Sequence, residues 1–491
     1  MLHISTSTKM KTEMFLGLLF ICVAICFTSA QNLGKNYGIN LRLHQRGLDY
    51  ATQKAVDEFY AELRSQPIPN FSGSSGKTTY SVTNIRVPEL TKPTFTLRVN
   101  NGTGITANLA IARLTVTGNF RVQYKRGWIK LRKSGSFTAR GSSISVATQF
   151  SVSVDPSGRP VTIVRSCSNR VGSFRLDIRA SGLLGGIINL LEGRISRYLK
   201  GKIEPMLCEQ VRKLNDRKLI PRLRKLKVST TVQDNRLRLD YSLLRSPQFG
   251  SNYIDTTFKG DVAWKGRSTR TPTGTRSWPV ISGAENKMVT IYITDYLMNA
   301  LGYLLHNAGD LSYNVTRDKV SSKVRPRLSL SCSGDICAGT LLPEIASRYP
   351  DGWLEAGLRT SKPPRLTFEN DTVWGNFSGV LEAFVATPDG RKVSVASVSA
   401  GLDIPLNLGI VGNKLIAKLE TPRISVAGVD ADTEGLERVL ELVTTGFTNV
   451  ELDKIGQRGI DLPTFDDITL VAPQIFIRSN LIVVSTDVRY N

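Results

Sequence analysis

The feature that most constrains this chain is a plan stated twice. Residues 48–65 carry apolar side chains at helical spacing, Leu48, Ala51, Ala55, Phe59 and Leu63, and the pattern stops at Ser65 ahead of Pro67. A second such pattern, Tyr296, Leu297, Ala300, Leu304 and Leu305, stops at Gly309. Both begin at an Asp-Tyr pair, Asp49-Tyr50 and Asp295-Tyr296. Strand-like alternation follows each helix: Ile144, Val146, Phe150, Val152 and Val154 in one half, and Val393, Val395 and Val398, with a bulge, in the other. Each half then has a long helical pattern and a final strand. Residues 183–211 align Ile187, Leu190, Leu191, Ile195, Leu199, Ile203 and Leu207 on one side and Arg194, Arg197, Lys200 and Lys202 on the other; Glu437, Leu440, Val443 and Phe447 mark the counterpart. Such a stripe faces a core. The plan predicts an α+β protein of two similar units, each a strongly bent antiparallel sheet wrapped on one long helix.

Length allows two domains, and charge divides them. Residues 31–265 hold 39 Lys and Arg against 15 Asp and Glu, a difference of +24, while residues 266–491 hold 23 against 25, a difference of −2. Between them, GRSTRTPTGTRSWPVISGAENK is rich in Gly, Pro, Ser and Thr and lacks any sustained apolar period. The expected organisation is a basic first domain over 31–265, a linker over 266–288 and a second domain over 289–491.

The first 30 residues read as a secretory signal peptide: Lys9 and Lys11 precede an apolar run over 14–27, and Thr28-Ser29-Ala30 supplies small residues for cleavage. That run is too short to span a bilayer. Export agrees with five N-glycosylation acceptor triplets, at Asn70, Asn101, Asn314, Asn370 and Asn376. Of six cysteines, Cys22 and Cys26 lie in the signal, and the remaining four predict two disulfides, Cys167–Cys208 and Cys332–Cys337. The first would contribute about 4 kcal/mol and the second about 2 kcal/mol by restricting the unfolded chain.

One stretch carries chemistry. In NFRVQYKRGWIKLRKSGSF, alternation over 120–133 separates an apolar face, Phe120, Val122, Ile129 and Leu131, from a cationic face with Arg121, Trp128, Lys130 and Arg132. A hairpin turning at 125–127 would gather these cations with Lys125, Arg126, Lys133 and the tryptophan at one tip. Such a tip suits a phosphate-bearing, partly apolar target; a solvated basic face is the plainer alternative.

Four segments in order resemble the bactericidal permeability-increasing protein and lipopolysaccharide-binding protein family. They are GLDYATQKAVDEFYAELRSQPIPNFSG, the hairpin from NLAIARLTVTG onward, the SCS and LCEQV cysteines, and the closing IDLPTFDDITLVAPQIFIRSNLIVVSTDVRYN. The resemblance covers essentially the whole mature chain. It implies an elongated boomerang of two similar barrels joined by a central sheet, with an apolar pocket in each barrel holding a phospholipid and no other cofactor. It also implies that Cys167 and Cys208 form the family disulfide; the Cys332–Cys337 pair departs from the vertebrate pattern. The family's lipopolysaccharide site lies at the tip of the N-terminal barrel, where its basic hairpin matches Arg121, Lys125, Arg126, Lys130, Arg132 and Lys133. The second tip loop, lysine-rich in familiar members, is FSGSSGKTT here, with Lys77 alone.

The chemistry points the same way. Lipid A presents phosphates on a sugar backbone above acyl chains; Arg grips phosphate bidentately, Lys acts as a point charge, and Trp128 offers an amphipathic ring for the boundary. At ~1 kcal/mol per cation near an anionic surface, six or seven charges amount to several kcal/mol. Catalysis is not expected. His44 and His306 are the only histidines beyond the signal, there is no G-x-S-x-G, and the phosphate-loop lookalike at 102–107 lacks its third glycine. No paired C-x-x-C supports a metal site. Nucleic acid is not an expected physiological target, although incidental polyanion binding is. The expectation is a secreted, monomeric innate-immune protein that binds lipopolysaccharide on the Gram-negative outer membrane and permeabilises it. The alternative is a carrier of lipopolysaccharide or phospholipid that does not kill.

Overall fold

The computed structural model describes residues 38–265, 282–427, 460–461 and 468–490, apart from 173, 183–184, 233–235, 321, 335–336, 370 and 421–422. The expected signal peptide, most of the expected linker, Leu183, Asn370 and the helix expected around Glu437, Leu440, Val443 and Phe447 lie outside the described residues.

β1 (Ile39–His44) leads directly into α1 (Gln45–Ser65). β2 (Phe71–Ser75), β3 (Thr78–Leu90), β4 (Thr94–Asn100), β5 (Gly104–Arg126), β6 (Ile129–Val154), β7 (Pro160–Arg170) and β8 (Phe174–Arg179) then form one seven-stranded sheet. All its pairings are antiparallel, and it forks along its length. β5 pairs with β4 near its start and with β3 further on, while β6 pairs with β8 and then β7. Register shifts in β3 between Thr83 and Glu89, and in β6 between Gln149 and Phe150, bend the sheet.

α2 (Gly185–Leu214) lies in this curl. Its stripe of Leu191, Ile195, Leu199, Ile203 and Leu207, spaced by four residues, is buried against Val82, Phe120, Phe137 and Ile144 of the sheet. The helix continues through a π turn, Asn215–Leu219, into Ile220–Arg224. That turn brings Asn215 inward, where its Oδ1 accepts a 2.6 Å hydrogen bond from Thr162, and keeps Leu219 and Leu223 buried. Cys167 on β7 is bonded to Cys208 on α2, as expected, so a covalent tie joins sheet to helix. Cys332 and Cys337 are bonded as well.

The second half opens with the helix Asp295–Asn307 and builds an eight-stranded antiparallel sheet around the long strands Thr372–Ala386 and Lys392–Val411. Register slips between Ala383 and Phe384, at the bulge expected near Val393 to Val398. The fold is the expected α+β arrangement of two curled antiparallel sheets. The two expected short helices end where Pro67 and Gly309 require them to.

A six-stranded central sheet joins the halves. Its order is Gln248–Phe249, Tyr253–Phe258, β1, Val289–Thr294, Leu481–Tyr490, Ile468–Arg478, the first three strands from one half and the last three from the other. On β1, Ile39 and Leu43 point into an apolar cluster with Val289 and Val484. Asn40, Arg42 and His44 occupy the opposite face and are also buried. Arg42 donates to both carboxylate oxygens of Asp255 at 2.8 and 2.7 Å, Asn40 donates to the same carboxylate at 3.3 Å, and His44 Nε2 meets Thr290 Oγ1 at 2.9 Å. Thr290 in turn meets Ser485 Oγ at 3.3 Å. His306 likewise has a structural partner, with Nδ1 2.7 Å from Thr360 Oγ1.

Cys167→Ser is expected to lower the unfolding free energy by up to about 4 kcal/mol, because it frees a loop of sequence separation 41 in the unfolded chain. A denaturant melt that matches wild type would remove the disulfide from the stability of this half.

Burial, helped by the neighbouring Arg42 and opposed by Asp255 and Glu285, holds the His44 imidazole down at about 4. The unfolded chain takes up this proton below its ordinary value of 6.5, so stability is full above that pH and drains away as pH falls toward 4. We expect thermal unfolding at pH 5 to show a loss of about 2 kcal/mol relative to neutral pH from this group. His44→Gln should flatten that part of the profile; an unchanged profile would assign the acid sensitivity elsewhere.

Candidate functional site

β5 and β6 run on past their neighbours as a hairpin. Arg126 pairs with Ile129, so the turn is the two-residue Gly127-Trp128, shifted from the expected 125–127. Gly127 sets this position because it takes φ +60°, the left-handed value needed at the first central residue of a type II′ turn.

Register fixes the faces. Lys125 lies opposite Lys130, Gln123 opposite Arg132 and Arg121 opposite Ser134, which puts Arg121, Lys125, Lys130 and Arg132 on one face as the alternation predicts. Arg132 Nε donates to Gln123 Oε1 at 3.1 Å, and this bond holds one guanidinium across the hairpin. A Lys facing a Lys across strands repels, and no carboxylate bonds to either among the described residues. Beside them is the turn after β2. Lys125 N–H donates to Lys77 O at 3.0 Å, so Lys77 in that turn falls in one lateral row with Lys125 and Lys130 of the hairpin. The short FSGSSGKTT loop therefore does meet the hairpin.

Lys133 pairs with Val122 and so stands on the face of Ile129 and Leu131; its ammonium packs at Gly182, where a Cβ would come within 3.1 Å of Nζ. The structure corrects the expected faces in one respect: the apolar face is only half core. Phe120 and Val122 are buried, but Ile129 is 64% exposed, Leu131 46% and Trp128 fully exposed. These are three of the five large apolar side chains exposed among the described residues, and all stand at one tip. Periodicity marks a residue as apolar-facing; it does not mark where the core beneath it ends.

Sequence reasoning missed Arg194 as a neighbour of this region. Its Nη2 donates to Ser75 Oγ at 3.3 Å, next to the turn that carries Lys77, and its place in the first turns of α2 was the available signal. Tyr198, one turn on, stacks on Phe71 with centroids 3.6 Å apart and donates its hydroxyl to Pro69 O at 2.9 Å, pinning β2 to α2. Further from the tip, an apolar crevice between α2 and the sheet is lined by Leu63, Ile68, Val87, Leu114, Ile203 and Leu207.

Of the glycosylation acceptors, Asn70 and Asn101 are exposed in loops and Asn314 is exposed on a sheet-edge strand. Asn376 instead donates to Asp403 and accepts from Thr367, both at 2.8 Å, within its sheet.

Two curled-sheet units sharing a central sheet, one of them ending in a cationic and apolar hairpin, define a tandem-barrel protein. Family models match it in two blocks: the LBP / BPI / CETP family N-terminal domain over residues 47–223 and the C-terminal domain over 231–490. The chain belongs to this family, and so to lipid-binding proteins that are not enzymes and use no cofactor. Among relatives, the lipopolysaccharide-binding protein of Bos taurus is 27% identical, with 99% of each chain covered, and the bactericidal permeability-increasing protein of Sebastes schlegelii is 25% identical, covering 93% of this chain and 96% of its own. The crystal structure of lipopolysaccharide binding protein superimposes with a TM-score of 0.64 over 93% of this chain and 99% of that one, at 23% identity, which establishes the shared fold.

Alanine at Lys125, Arg126, Lys130 and Arg132 together is expected to change stability by no more than about 0.5 kcal/mol, since the hairpin is held by Phe120 and Val122 and loses a repulsive pair. A large drop in melting temperature would show that these cations hold the fold.

Proposed function

We propose that this is a secreted antibacterial protein of innate immunity that binds lipopolysaccharide through lipid A at the hairpin tip and permeabilises the Gram-negative envelope. The observation that carries the reading is the company Trp128, Ile129 and Leu131 keep. Fully or half exposed, they stand beside Lys77, Arg121, Lys125, Lys130, Arg132 and Lys133. Apolar groups at an end with cations behind them match a ligand whose acyl chains lie beneath phosphates. Relatives named for binding lipopolysaccharide and for increasing bacterial permeability support the same assignment. Secretion rests on the N-terminal segment, the paired cysteines and the exposed acceptors Asn70, Asn101 and Asn314. The net charge of residues 31–265 makes that domain the binding half, and the protein acts as a monomer.

A second reading, a lipopolysaccharide or phospholipid carrier, has its own observation. The crevice lined by Leu63, Ile68, Val87, Leu114, Ile203 and Leu207 is apolar and lies between helix and sheet, and a carrier would widen it to seat an acyl chain. Charge favours the first reading, since burying acyl chains needs no tip cations.

The Lys125, Arg126, Lys130 and Arg132 alanine variant should bind lipid A vesicles several kcal/mol more weakly at low salt, at ~1 kcal/mol per cation, with the gap to wild type closing as salt rises. Trp128→Ala should weaken binding with little salt dependence. Wild-type protein added to cells should make Gram-negative envelopes leak and spare Gram-positive ones. Binding without leakage selects the carrier; undiminished binding and leakage by the quadruple variant rejects the tip.

A further inference from the structure

A second cationic surface lies well away from the tip. Residues 211–227, VRKLNDRKLIPRLRKLK, hold eight Lys and Arg and a single acid, Asp216. They cover the last turn of α2, the π turn and the helix Ile220–Arg224. Asn215, Leu219 and Leu223 face the core, and Arg212, Arg217, Arg224, Lys225 and Lys227 are exposed. Lys213 pairs with Glu209 at 2.6 Å, and Lys218 and Arg222 are engaged too, but none of the five exposed cations makes a salt bridge among the described residues. Arg212 to Arg224 spans about 18 Å at ~1.5 Å per helical residue, with Lys225 and Lys227 extending the row.

We propose that this row is a separate site for a linear sulfated polysaccharide. Its chemistry differs from that of the tip. No large apolar side chain is exposed anywhere in the segment, so it has nothing to set into acyl chains, whereas the tip has three such side chains. It contains no Phe, Tyr or Trp on which a base could stack. A run of point charges and guanidinium groups along the end of a helix and just past it fits a linear chain of sulfates, and short Lys/Arg-dense segments are the sequence form of such patches. Gly182 touches Lys133 at the base of the tip, and the 27 residues from Gly185 to Arg212 place the row about 40 Å along α2 from there. Both surfaces can therefore be occupied at once, one by a lipid and the other by a polysaccharide.

The test uses the full-length protein, heparin as the probe and lipid A vesicles as the parallel readout. Changing Arg212, Arg217, Arg224, Lys225 and Lys227 to Gln is expected to lower heparin affinity about tenfold or more at low salt and to flatten its salt dependence. Vesicle binding and melting temperature should stay at wild-type values. Asp216→Asn, which removes the one carboxylate in the segment, should raise heparin affinity, a gain that misfolding cannot imitate. The site is overturned if the tip variant loses heparin binding while the five-residue variant keeps it. It is equally overturned if the five-residue variant loses vesicle binding to the same degree, which would make the row part of a membrane surface. Duplex DNA binding as tightly as heparin through these five residues would replace the polysaccharide with nucleic acid. Loss of vesicle binding by the tip variant alone bears on the tip and leaves this row untouched.

Discussion

The strand Ile39–His44 has two halves of a protein to satisfy at once. It pairs with Tyr253–Phe258 on one side and Val289–Thr294 on the other, so neither edge is open. Its apolar residues enter a core to which both halves contribute, and its polar residues are buried too. A charge in that position is tolerable only when paired and hydrogen-bonded, and Arg42 meets the condition with both oxygens of Asp255. Its guanidinium also lies 4.1 Å from the ring of Tyr253 and 5.5 Å from that of Tyr292, one residue from each half. Because strand side chains alternate, a slip of one residue would drive Arg42 into the apolar cluster and Leu43 onto the polar face. The ion pair therefore sets register, and register sets how one curled sheet continues into the other.

The tip obeys the opposite constraint. β3 last pairs with β5 at Thr78 and Tyr124, so the residues beyond lose their lateral neighbours apart from the Lys77 turn. Without a sheet around it, the inward face no longer covers a core, and Ile129 and Leu131 are left in water together with Trp128. α2 backs this end through the Phe71 and Tyr198 stack and the Arg194 contact, and at its other end it is bonded to β7 by the Cys167 disulfide. The exposed end is thus mounted on a rigid rod and not on a loop.

Much of this was legible in the sequence because it is local. Helix periodicity and stops at Pro67 and Gly309 fixed two short helices, the four-residue stripe fixed α2, and alternation fixed which of Arg121, Lys130 and Arg132 share a face. The rest depends on contacts between distant residues. The central sheet joins β1 to partners more than 200 residues away, and a six-residue strand such as INLRLH carries no signal of its neighbours. Arg42 reads as one more cation in a basic half until Asp255 is placed opposite it. The turn closes at 127–128 and not at 125–127 because a single glycine φ, not the hydrophobic pattern, chooses where a hairpin closes. Exposure of Ile129 and Leu131 follows from where β3 stops, which pairwise alternation within one hairpin does not encode.

Charge count alone ranks the tip and the row at 211–227 as equals, and their surroundings separate them. At the tip, alternation splits the hairpin: one face holds Arg121, Lys125, Lys130 and Arg132, and the other holds Ile129, Leu131 and Lys133. On the proposed reading such a hairpin is presented end-on, with Trp128 foremost, and offers both faces to an interface, apolar atoms toward the chains and cations toward the phosphates. Salt screens only the second contribution, so binding there retains an unscreened apolar part. Along the row at 211–227 the apolar residues Leu219 and Leu223 are spent on the core and only charge faces outward. Binding there is electrostatic throughout and vanishes into screening as ionic strength rises. The two surfaces thus differ in kind, and the difference comes from which side of each element the fold needed for itself.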